Sequence, residues 1–363
     1  MSGTPGRYDL AVVGAGIVGL GHAAAAVERG LRVVVIERAS TIAGATVRNF
    51  GHVATSVQAG RAREYAERTR ELWLRHAERA GLWLRRSGTL VVARAADELA
   101  VLAEAGEGRL LGAADVAERV PVVGAVGGAY LPRDLQIDPR QAAPALAGEL
   151  TSAGVEFRWR TAVLGVETGT VHTRRGDIHA EAVVVAVNHD IDELYPDLAD
   201  QHAVVRCGLD MLLADGVGLD VPVLTGSSML RYAAFTSTST GAALRERYET
   251  ECPDLIAREV NQMYAERPDG TLIVGDTHQR AASIAPFQDE ASFELLAQLA
   301  RELFGLERLR VRQRWQGVYA SAPQEFLRAA PADGVRVVAV TTGIGMSTGL
   351  GLAESVIEEL FGS

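Results

Sequence analysis

Apolar and polar positions near the N-terminus follow the order strand, helix, strand. Residues 8–13 and 31–36 are short runs rich in β-branched side chains, and the alanine-rich segment 17–29 between them has the composition of a helix. The glycine-rich sequence GAGIVG occupies positions 14–19, where the first strand would turn into the helix. The pattern therefore predicts a βαβ unit of about 30 residues at the start of the chain.

Further helix and strand patterns follow along the chain. Apolar residues recur every three, four or seven positions over residues 62–80, which predicts a surface helix. A strand at 87–94, helices at 97–104 and 141–153, a β-rich passage from 154 onward, and strand, loop and helix patterns between 201 and 320 follow. A strand at 335–340, a loop at 341–349 and a helix at 350–361 close the chain. We expect an α/β fold in which residues 1–86, 136–200 and 326–363 form a Rossmann-like dinucleotide-binding domain, and residues 87–135 and 201–325 form an inserted, mixed β-sheet substrate domain.

The amino-acid composition limits the kinds of partner and the reactive groups that the chain can have. The chain has 363 residues, of which 48% are hydrophobic and 23% are charged, so it has enough apolar material for a large core. Its formal net charge is −10, and basic residues are nowhere interleaved with aromatic ones, so we expect no nucleic-acid partner. All 36 basic residues are arginine. No lysine is therefore available as a base, a Schiff-base nucleophile or an oxygen activator.

Cysteine, histidine and glycine positions exclude further classes. Cys207 and Cys252 are the only cysteines and lie far apart, which favours a reducing compartment and argues against a disulfide framework. The eight histidines show no HxH or HExxH spacing, so we expect no metal site. Glycines and a histidine interrupt the apolar stretch 10–26, which predicts neither a signal peptide nor a membrane helix. We expect a soluble cytoplasmic protein with no membrane partner.

The glycine-rich turn predicts a dinucleotide site. Backbone N–H groups at a helix N-terminus, together with the helix dipole, attract a pyrophosphate. Gly14 would allow the tight turn, Gly16 the approach of the backbone to the pyrophosphate, and Gly19 the close packing of helix on strand. Glu37, 23 residues after Gly14 and at the end of the second strand, would accept hydrogen bonds from the adenosine ribose. These features occur in the required order, but the turn alone leaves the dinucleotide unidentified.

Several further motifs resemble those of one enzyme family. The segments ERA at 37–39, GAT at 44–46, DPR at 138–140, AVN at 186–188 and TGIGMS at 342–347 make nearly the whole chain similar to the D-amino-acid oxidase and glycine (sarcosine) oxidase superfamily of FAD-dependent oxidoreductases. The resemblance implies bound FAD and a GR2-type, glycine oxidase-like fold. It also implies that Val163 contacts the adenine through its backbone and that the C-terminal glycine loop contacts the isoalloxazine ring. The implied FAD-binding residues are Gly14, Gly16, Ile17, Gly19, Glu37, Arg38, Ala45, Thr46, Val163, Ala186, Asn188, Gly343, Gly345, Met346 and Ser347.

The substrate end departs from the family pattern. Glycine-oxidase-like enzymes carry Trp-x-Gly-x-Arg in a late strand, where the arginine binds the substrate carboxylate, but this chain reads WQGVY at 315–319. Tyr319 thus stands where the bidentate arginine is expected, which disfavours an ordinary glycine or D-amino-acid oxidase. The segment RNFGH at 48–52 resembles the FAD-dependent oxidases associated with aminophosphonate breakdown. Those enzymes act on 2-aminoethylphosphonate or its N-methyl derivative.

This resemblance implies a set of candidate substrate contacts. A tetrahedral anion suits donors from several segments, and the arginine candidates are Arg48, Arg231, Arg280 and Arg314, each with a solvated or ion-paired surface role as its ordinary alternative. Gln313 shares one strand face with Trp315 and Tyr319, and that face either looks onto the flavin or packs in the core. Two histidines are candidate oxygen activators, with a polar structural role as the alternative. The candidate catalytic residues are Arg48, Asn49, His52, Arg231, His278, Trp315 and Tyr319.

The predicted reaction is FAD-dependent oxidative deamination of a small amine. Hydride would pass from the carbon that bears nitrogen to flavin N5, and the aminophosphonates would give phosphonoacetaldehyde with ammonia or methylamine. Oxygen or another acceptor would then take the electrons. Three alternatives stay open: a glycine/sarcosine-type or other amino acid oxidase whose carboxylate is bound by Arg48 or Arg231, a flavin-binding protein without turnover, and an NAD-dependent dehydrogenase, which the glycine loop at 343–349 disfavours. The oligomeric state also stays open.

Overall fold

The computed structural model describes residues 8–362. The strands are β1 (Tyr8–Val13), β2 (Val33–Ile36), β3 (His52–Val53), β4 (Leu84–Arg85), β5 (Thr89–Ala93), β6 (Arg109–Gly112), β7 (Gly127–Leu131), β8 (Leu135–Ile137), β9 (Glu156–Arg158), β10 (Val163–Glu167), β11 (Thr170–Thr173), β12 (Ile178–Val185), β13 (Val205–Asp215), β14 (Val223–Thr225), β15 (Met263–Glu266), β16 (Thr271–Gly275), β17 (Gln279–Ala281), β18 (Val311–Ser321), β19 (Phe326–Ala332) and β20 (Val335–Val340). The α-helices are α1 (Ile17–Glu28), α2 (Gly60–Ala80), α3 (Ala96–Ala105), α4 (Ala113–Ala117), α5 (Pro139–Ser152), α6 (Ile191–Leu194), α7 (Pro196–Gln201), α8 (Ala233–Thr236), α9 (Ser239–Glu251), α10 (Pro253–Ala257), α11 (Glu290–Phe304) and α12 (Gly345–Phe361). Short 3-10 helices span Ala45–Val47, Asn188–Asp190 and Gly226–Leu230.

The first large sheet contains the predicted βαβ unit. Its parallel strands lie in the order β9-β2-β1-β12-β20, with β19 antiparallel at the edge and the hairpin β10–β11 paired to the start of β12. Alternate residues of β1 belong to separate apolar cores on the two faces, which explains why the strand is an unbroken apolar run. The chain leaves β1 toward β2 on one side and returns with β12 on the other. In sheets of this kind, ligands bind at the carboxyl ends of the strands beside such a reversal.

Helix α12 begins earlier than the sequence pattern predicts. We expected the helix at 350–361, whereas residues 345–347 already form its first turn. Glycine and hydroxyl residues lower the helix propensity of this stretch, so periodicity alone does not reveal it. Close packing overrides the propensity: a Cβ on Gly351 would lie 2.4 Å from the carbonyl oxygen of Tyr65 in α2. Part of the predicted glycine loop is therefore a helix N-terminus.

The second large sheet has nine strands. Their order is β17-β13-β16-β15-β14-β5-β7-β6, with β18 paired along β13, and every pair is antiparallel except β14–β5. Helices α3, α9 and α11 contribute to its core. All nine strands fall within the segments 87–135 and 201–325 that we assigned to the substrate domain. A third, small antiparallel sheet has the order β3-β8-β4.

A bulge interrupts the second sheet beside β13. The last residue of β16 pairs with Met211 and the first residue of β17 pairs with Gly208, so residues 276–278 oppose residues 209–210. An extra residue on one strand bends that strand and re-aims its side chains. Asp276 lies on this bulge.

Candidate active site

A cavity of about 800 Å³ is lined by residues of both large sheets. At one end it reaches the turn between β1 and α1, and at the other it reaches side chains of β13 and β18. The 3-10 helix Ala45–Val47 and the start of α12 also contribute to its wall. Ligand pockets commonly measure about 300–1,000 Å³, so the cavity is of the size that holds a cofactor or ligand.

The turn before α1 leaves open space at Gly16. A Cβ on Gly19 would lie 1.9 Å from the carbonyl oxygen of Gly14, and Gly14 itself has a φ of +103° and approaches the Ala186 carbonyl oxygen. Contacts within the protein therefore require both of these glycines. At Gly16 the φ is −71°, and the nearest atom to an added Cβ is Thr46 Oγ1 at 3.4 Å. Among the described residues no backbone contact demands glycine there, so the glycine leaves room for a ligand at the N-terminus of α1.

Two hydrogen-bonded groups flank this open space. The N–H of Ile17 donates to Thr46 Oγ1 at 2.9 Å, which holds the 3-10 helix over the N-terminus of α1. Glu37, directly after β2, accepts hydrogen bonds from the N–H groups of Ala15 at 2.9 Å and Ala39 at 2.8 Å. Each carboxylate oxygen has further acceptor capacity. The carboxylate is thus fixed on the cavity wall and can still accept hydrogen bonds from a ligand.

The next part of the wall joins the two large sheets. Arg38 forms ion pairs with Asp190 and Glu193, the second at 3.3 Å. Asn188 adopts a φ of +59°, and its Oδ1 accepts a hydrogen bond from the N–H of Ala320 in β18 at 2.9 Å. The carboxyl end of β12 is therefore tied to β18 beside the cavity.

The opposite end of the cavity meets the segment before α12. Gly343 has a φ of +78°, and a Cβ there would lie 2.9 Å from Tyr319 Cζ and 3.0 Å from Arg231 Nη2. Ser347 faces away, because its Oγ accepts a hydrogen bond at 2.9 Å from the backbone N–H of the residue after β3. Gly19 likewise packs inside the fold. The remaining predicted FAD contacts all line the cavity: Gly14, Gly16, Ile17, Glu37, Arg38, Ala45, Thr46, Val163, Ala186, Asn188, Gly343, Gly345 and Met346.

Comparison with known proteins identifies the family. The family described as "FAD dependent oxidoreductase" matches residues 9–359. The chain belongs to this family of FAD-dependent oxidoreductases. No curated protein matches the oxidoreductase in sequence.

Solved structures share the fold of this oxidoreductase. Glycine oxidase from Geobacillus kaustophilus is 19% identical with a TM-score of 0.78, and the match covers 98% of this chain and 94% of that one. L-proline dehydrogenase from P. horikoshii is 17% identical with a TM-score of 0.80, covering 99% and 94%. L-amino acid deaminase from Proteus vulgaris, with its specific insertion deleted, is 18% identical with a TM-score of 0.76, covering 100% and 92%. The chain therefore matches each of these structures over more than nine-tenths of both lengths.

The cavity of the oxidoreductase fits FAD. The N-cap residues of α1 and α12 make no side-chain cap hydrogen bond, so both helix N-termini present a partial positive charge to the cavity wall. Gly16 and the start of α1 would hold the pyrophosphate, and Glu37 the ribose hydroxyls. The first turn of α12 would face the electron-rich edge of the isoalloxazine ring. The open cradle over Gly16 is the observation that supports this assignment.

Arg231 brings a guanidinium group to the position of Tyr319. Its Nη2 lies 3.1 Å from Tyr319 Oη and 3.2 Å from the Thr342 carbonyl oxygen, to both of which it donates. In the described part of the chain, no carboxylate lies within 4 Å of this guanidinium. Burial by itself would lower the pKa of Arg231, but the fields of Tyr319, Tyr232 and Asp276 raise it. Arg231 is therefore a charged group on the cavity wall without an ion-pair partner.

Asp276 places a buried carboxylate at the same end of the cavity. Its Oδ1 accepts a hydrogen bond at 3.0 Å from Asn261 Nδ2, and the two residues exchange backbone hydrogen bonds of 2.8 and 2.7 Å. Oδ2 has no hydrogen-bond donor among residues 8–362, and His278 Nε2 lies 3.8 Å away. Burial raises the pKa of Asp276 to about 6, although Arg231 and Asn261 act in the opposite direction. The carboxyl group consequently titrates close to neutral pH.

The segment RNF at 48–50 lines the cavity, but its polar side chains are engaged elsewhere. Arg48 is exposed and donates from Nη1 to the Gln316 carbonyl oxygen at 3.1 Å. The side chain of Asn49 makes three hydrogen bonds with the backbone of its own turn. Trp315 lies outside the lining, where its Nε1 donates to the Arg48 carbonyl oxygen at 3.4 Å and the guanidinium of Arg140 covers its ring. Arg48 and Trp315 thus support the edge of the cavity.

The two candidate histidines lie behind the cavity wall. His52 Nε2 is 2.5 Å from Thr89 Oγ1 and 3.5 Å from the buried carboxylate of Asp134. His278 Nδ1 is 2.8 Å from the Glu259 carbonyl oxygen, and burial together with the charge of Arg231 lowers its pKa well below the usual value. The expectation of a cationic oxygen activator at His278 is not met, because the ring is neutral at pH 7.

Two of the candidate arginines have the ion-paired surface role that we gave as the alternative to substrate binding. Arg280 pairs with Glu259 and donates from Nε to Ser321 Oγ at 3.1 Å. Arg314 pairs with Glu290 at 2.7 Å on the outer side of β18. Neither lines the cavity. Both carry their charge in surface ion pairs.

Sequence reasoning missed the side chains that complete this end of the cavity. A weak signal for Asp276 was present, since a carboxylate directly follows the buried apolar run of β16. The sequence pattern does not predict the bulge that turns the Asp276 carboxylate toward Arg231. The missed lining residues are Phe50, Leu209, Met211, Tyr232, Asn261 and Asp276.

Metal-ligand clusters, membrane-spanning helices and disulfides are all absent from residues 8–362. Within that range, no three side chains are grouped so that they could hold a metal ion. No helix there is both long and apolar enough to span a membrane. Cys207 is buried and Cys252 partly buried, and both are free thiols.

Proposed function

We propose that this FAD-dependent oxidoreductase oxidises a small amine that also carries an anionic group, and that the substrate is 2-aminoethylphosphonate or its N-methyl derivative. The observation that carries the proposal is the guanidinium of Arg231, which lies on the cavity wall beside the start of α12 without a carboxylate partner. A half-buried charge without an ion-pair partner costs folding free energy. An anionic substrate that pairs with Arg231 offsets that cost when it binds.

The residues of the chain would bind and orient the substrate. FAD, when bound, accepts a hydride from the carbon next to the substrate nitrogen. Arg231 and the hydroxyl of Tyr319 hold the anion, which fixes the direction of the rest of the molecule. Phe50, Leu209 and Met211 form an apolar wall that excludes water around the reacting carbon. Hydrolysis of the imine product would yield phosphonoacetaldehyde with ammonia or methylamine.

Two features favour a phosphonate over a carboxylate. The first is the resemblance of the segment at 48–52 to oxidases associated with aminophosphonate breakdown. The second is the set of donors on one wall: the adjacent residues Arg231 and Tyr232, together with Tyr319 of β18, offer three donor groups for the three oxygens of a tetrahedral anion. Burial raises the pKa of both tyrosines, that of Tyr232 to about 12, so both hydroxyls keep their protons and can donate.

A second candidate function is the oxidation of a small amino acid such as glycine or sarcosine. Tyr319 replaces the arginine of the glycine-oxidase pattern, but Arg231 places a guanidinium within 3.1 Å of the tyrosine hydroxyl. A planar carboxylate could pair with that guanidinium in a bidentate manner. Glycine oxidase and L-amino acid deaminase are among the proteins with the same fold. The position of Arg231 is the observation that favours this candidate.

Anaerobic titration of the yellow holoenzyme tests the proposal. Absorbance between 350 and 500 nm is followed while 2-aminoethylphosphonate, its N-methyl derivative, glycine, sarcosine and L-proline are added separately. Bleaching by the aminophosphonates at low concentration supports the leading substrate. Bleaching by amino acids alone selects the second candidate, and bleaching by no amine leaves a flavin protein without this activity. Reoxidation in air with formation of hydrogen peroxide would identify oxygen as the acceptor.

A further inference from the structure

We propose that Asp276 binds the ammonium group of the substrate and removes its proton before oxidation. The inference rests on the proposed function, because it assigns the amine end of the same site. Hydride can leave the carbon only when the neighbouring nitrogen offers a free electron pair, so the enzyme must hold the neutral amine. An alkyl ammonium such as that of lysine titrates at about 10.4, so the substrate arrives protonated at neutral pH.

The geometry equips one oxygen of Asp276 for this role. Paired backbone hydrogen bonds to Asn261 hold the residue in place, and Asn261 Nδ2 occupies Oδ1. Oδ2 keeps no donor among the described residues, and the bulge turns the carboxyl group into the cavity. A carboxylate that is 4% exposed and half-satisfied is costly unless a ligand donates to it. A substrate ammonium group would supply that donor.

Of the titratable groups that face Asp276, only Arg231 is charged at pH 7. They are Arg231, Tyr232, His278 and Cys207. Burial raises the pKa of the tyrosine and the thiol and lowers that of the histidine, so these three are neutral at pH 7. A zwitterion with its anion at Arg231 and its ammonium at Asp276 therefore neutralises both the half-buried and the buried charge. The pair also sets the direction in which the substrate lies.

The proton transfer is balanced within the site. One N–H bond of the substrate ammonium breaks, its electron pair stays on nitrogen, and the proton forms an O–H bond with Oδ2 of Asp276. The ammonium cation becomes a neutral amine, and the carboxylate becomes a neutral carboxylic acid. The burial that raises the pKa of Asp276 favours the neutral acid and thus favours the transfer. After product release the acid returns its proton to solvent.

Asp276→Asn tests the transfer, with Asp210→Asn as the matched control. Asp210 is a carboxylate on β13, opposite the bulge, that accepts a hydrogen bond from Thr277 and does not line the cavity. Rates of anaerobic flavin reduction are measured from pH 6 to pH 10, with whichever amine bleaches the unmodified holoenzyme. We expect D276N to be slower by about 100-fold or more at pH 7, as for the loss of a general base, and to recover toward pH 10, where free neutral amine is available. D210N should follow the unmodified enzyme throughout.

A purely structural role for Asp276 would give a different result. D276N would then lose the same factor at every pH, or lose nothing at pH 7, and either outcome overturns the inference. Failure of every amine to bleach the unmodified enzyme would overturn the proposed function instead. The two failures are distinguishable, because only the second involves the unmodified protein.

Two sulfonates address the same question without a variant, should D276N not retain FAD. Taurine and ethanesulfonate share a permanent anion for Arg231, but only taurine carries an ammonium group. Calorimetry with the unmodified holoenzyme should show taurine binding at least about 10-fold more tightly above pH 6 than below it, in line with the strength of a charge-assisted hydrogen bond. Ethanesulfonate should show the opposite trend, because it prefers protonated Asp276. Taurine that binds no better above pH 6 than below it contradicts the assignment.

Discussion

At the scale of single residues, the site holds two groups of opposite charge, the half-buried Arg231 and the buried Asp276, that fold without an ion-pair partner. Arg231 keeps its charge with only a tyrosine hydroxyl and a carbonyl oxygen as hydrogen-bond partners, and Asp276 keeps one free carboxylate oxygen. Both arrangements reduce the stability of the folded chain. Such strain is typical of binding and catalytic sites, where a ligand supplies the missing partner.

Replacing Arg231 should weaken substrate binding more than it weakens the fold. We expect Arg231→Met to raise the KM for an anionic amine about 10- to 100-fold, the range for a lost hydrogen bond to a charged group, and Arg231→Lys to raise it less. Steady-state kinetics and thermal melting of the holoenzyme measure the two effects. Arg312→Met is the control, because Arg312 pairs with Asp215 at an exposed position. An unchanged KM in R231M would contradict the proposed anion site.

Asp276 should make the stability of the FAD-free protein depend on pH. Its pKa in the folded protein is raised to about 6 from an unfolded value near 3.9, so its contribution is fully favourable below about pH 4 and is lost as the pH rises through 6. The Asp276→Asn variant has no ionisable group at this position, so its stability does not fall in this way as the pH rises. The variant should therefore gain about 2 kcal/mol relative to the unmodified protein between pH 4.5 and pH 7.5, as measured by urea unfolding. A difference that stays constant over this range would contradict the raised pKa.

At the scale of elements, two helix N-termini lie side by side on one cavity wall, since a Cβ on Gly345 of α12 would lie 3.8 Å from the side chain of Ile17 in α1. The turn before α1 is shaped by glycines that serve different purposes, and the first turn of α12 faces the substrate end. In neither helix does the N-cap residue make a side-chain hydrogen bond to the first turn, although Thr46 Oγ1 accepts from the N–H of Ile17 in α1. The arrangement places two partial positive charges where the pyrophosphate and the carbonyl edge of a flavin carry negative charge.

Gly16 and Gly19 should respond differently to the same substitution. Gly16→Ala adds a Cβ only to the open space, so we expect the FAD-free protein to melt as before while FAD affinity falls at least about 10-fold, because the backbone can no longer approach the pyrophosphate. Gly19→Ala places a Cβ 1.9 Å from a carbonyl oxygen and should destabilise the FAD-free protein by about 1–3 kcal/mol or more. Fluorescence titration with FAD and thermal melting measure the two effects. Equal losses of stability in both variants would show that Gly16 is also a packing residue.

At the scale of the whole molecule, the cavity is shared by two sheets with separate cores. Strands of the first sheet and its 3-10 helices line one end, and β13, β18 and the bulge line the other. The chain passes between the two sheets four times, and contacts such as the hydrogen bond between Asn188 and Ala320 join them at the site. A bound cofactor that touches both parts should therefore stabilise the whole protein.

FAD should stabilise the protein far more than riboflavin does. At about 1,000 times its Kd, FAD adds about 4 kcal/mol, which corresponds to a rise in Tm on the order of 10 °C. Riboflavin lacks the pyrophosphate and adenosine and cannot reach the turn at Gly16 or the carboxylate of Glu37. Thermal melts of the FAD-free protein with each ligand make the comparison. An equal rise in Tm with riboflavin would place the binding energy at the isoalloxazine end and contradict the role assigned to the turn.

The sequence by itself determined the features whose physics is local. The βαβ unit, the required glycines at 14 and 19 and the position of Glu37 after β2 follow from periodicity, backbone sterics and spacing along one short segment, and the structure has β1, α1 and β2 at nearly the predicted bounds. The family motifs extended this prediction to the distant cavity residues, because they lie at the ends of recognisable strands.

Which side chains meet at the substrate end of the cavity was decided only by the tertiary structure. Arg231 and Tyr319 are 88 residues apart in sequence, and their contact depends on how β18 and the 3-10 helix before Arg231 pack around the cavity. Asp276 faces the cavity because of a one-residue bulge, whereas His52 and His278 are drawn behind the wall by buried hydrogen bonds. Packing against α2 also starts α12 within a stretch of low helix propensity. Such outcomes depend on long-range contacts, which residue type and spacing do not encode locally.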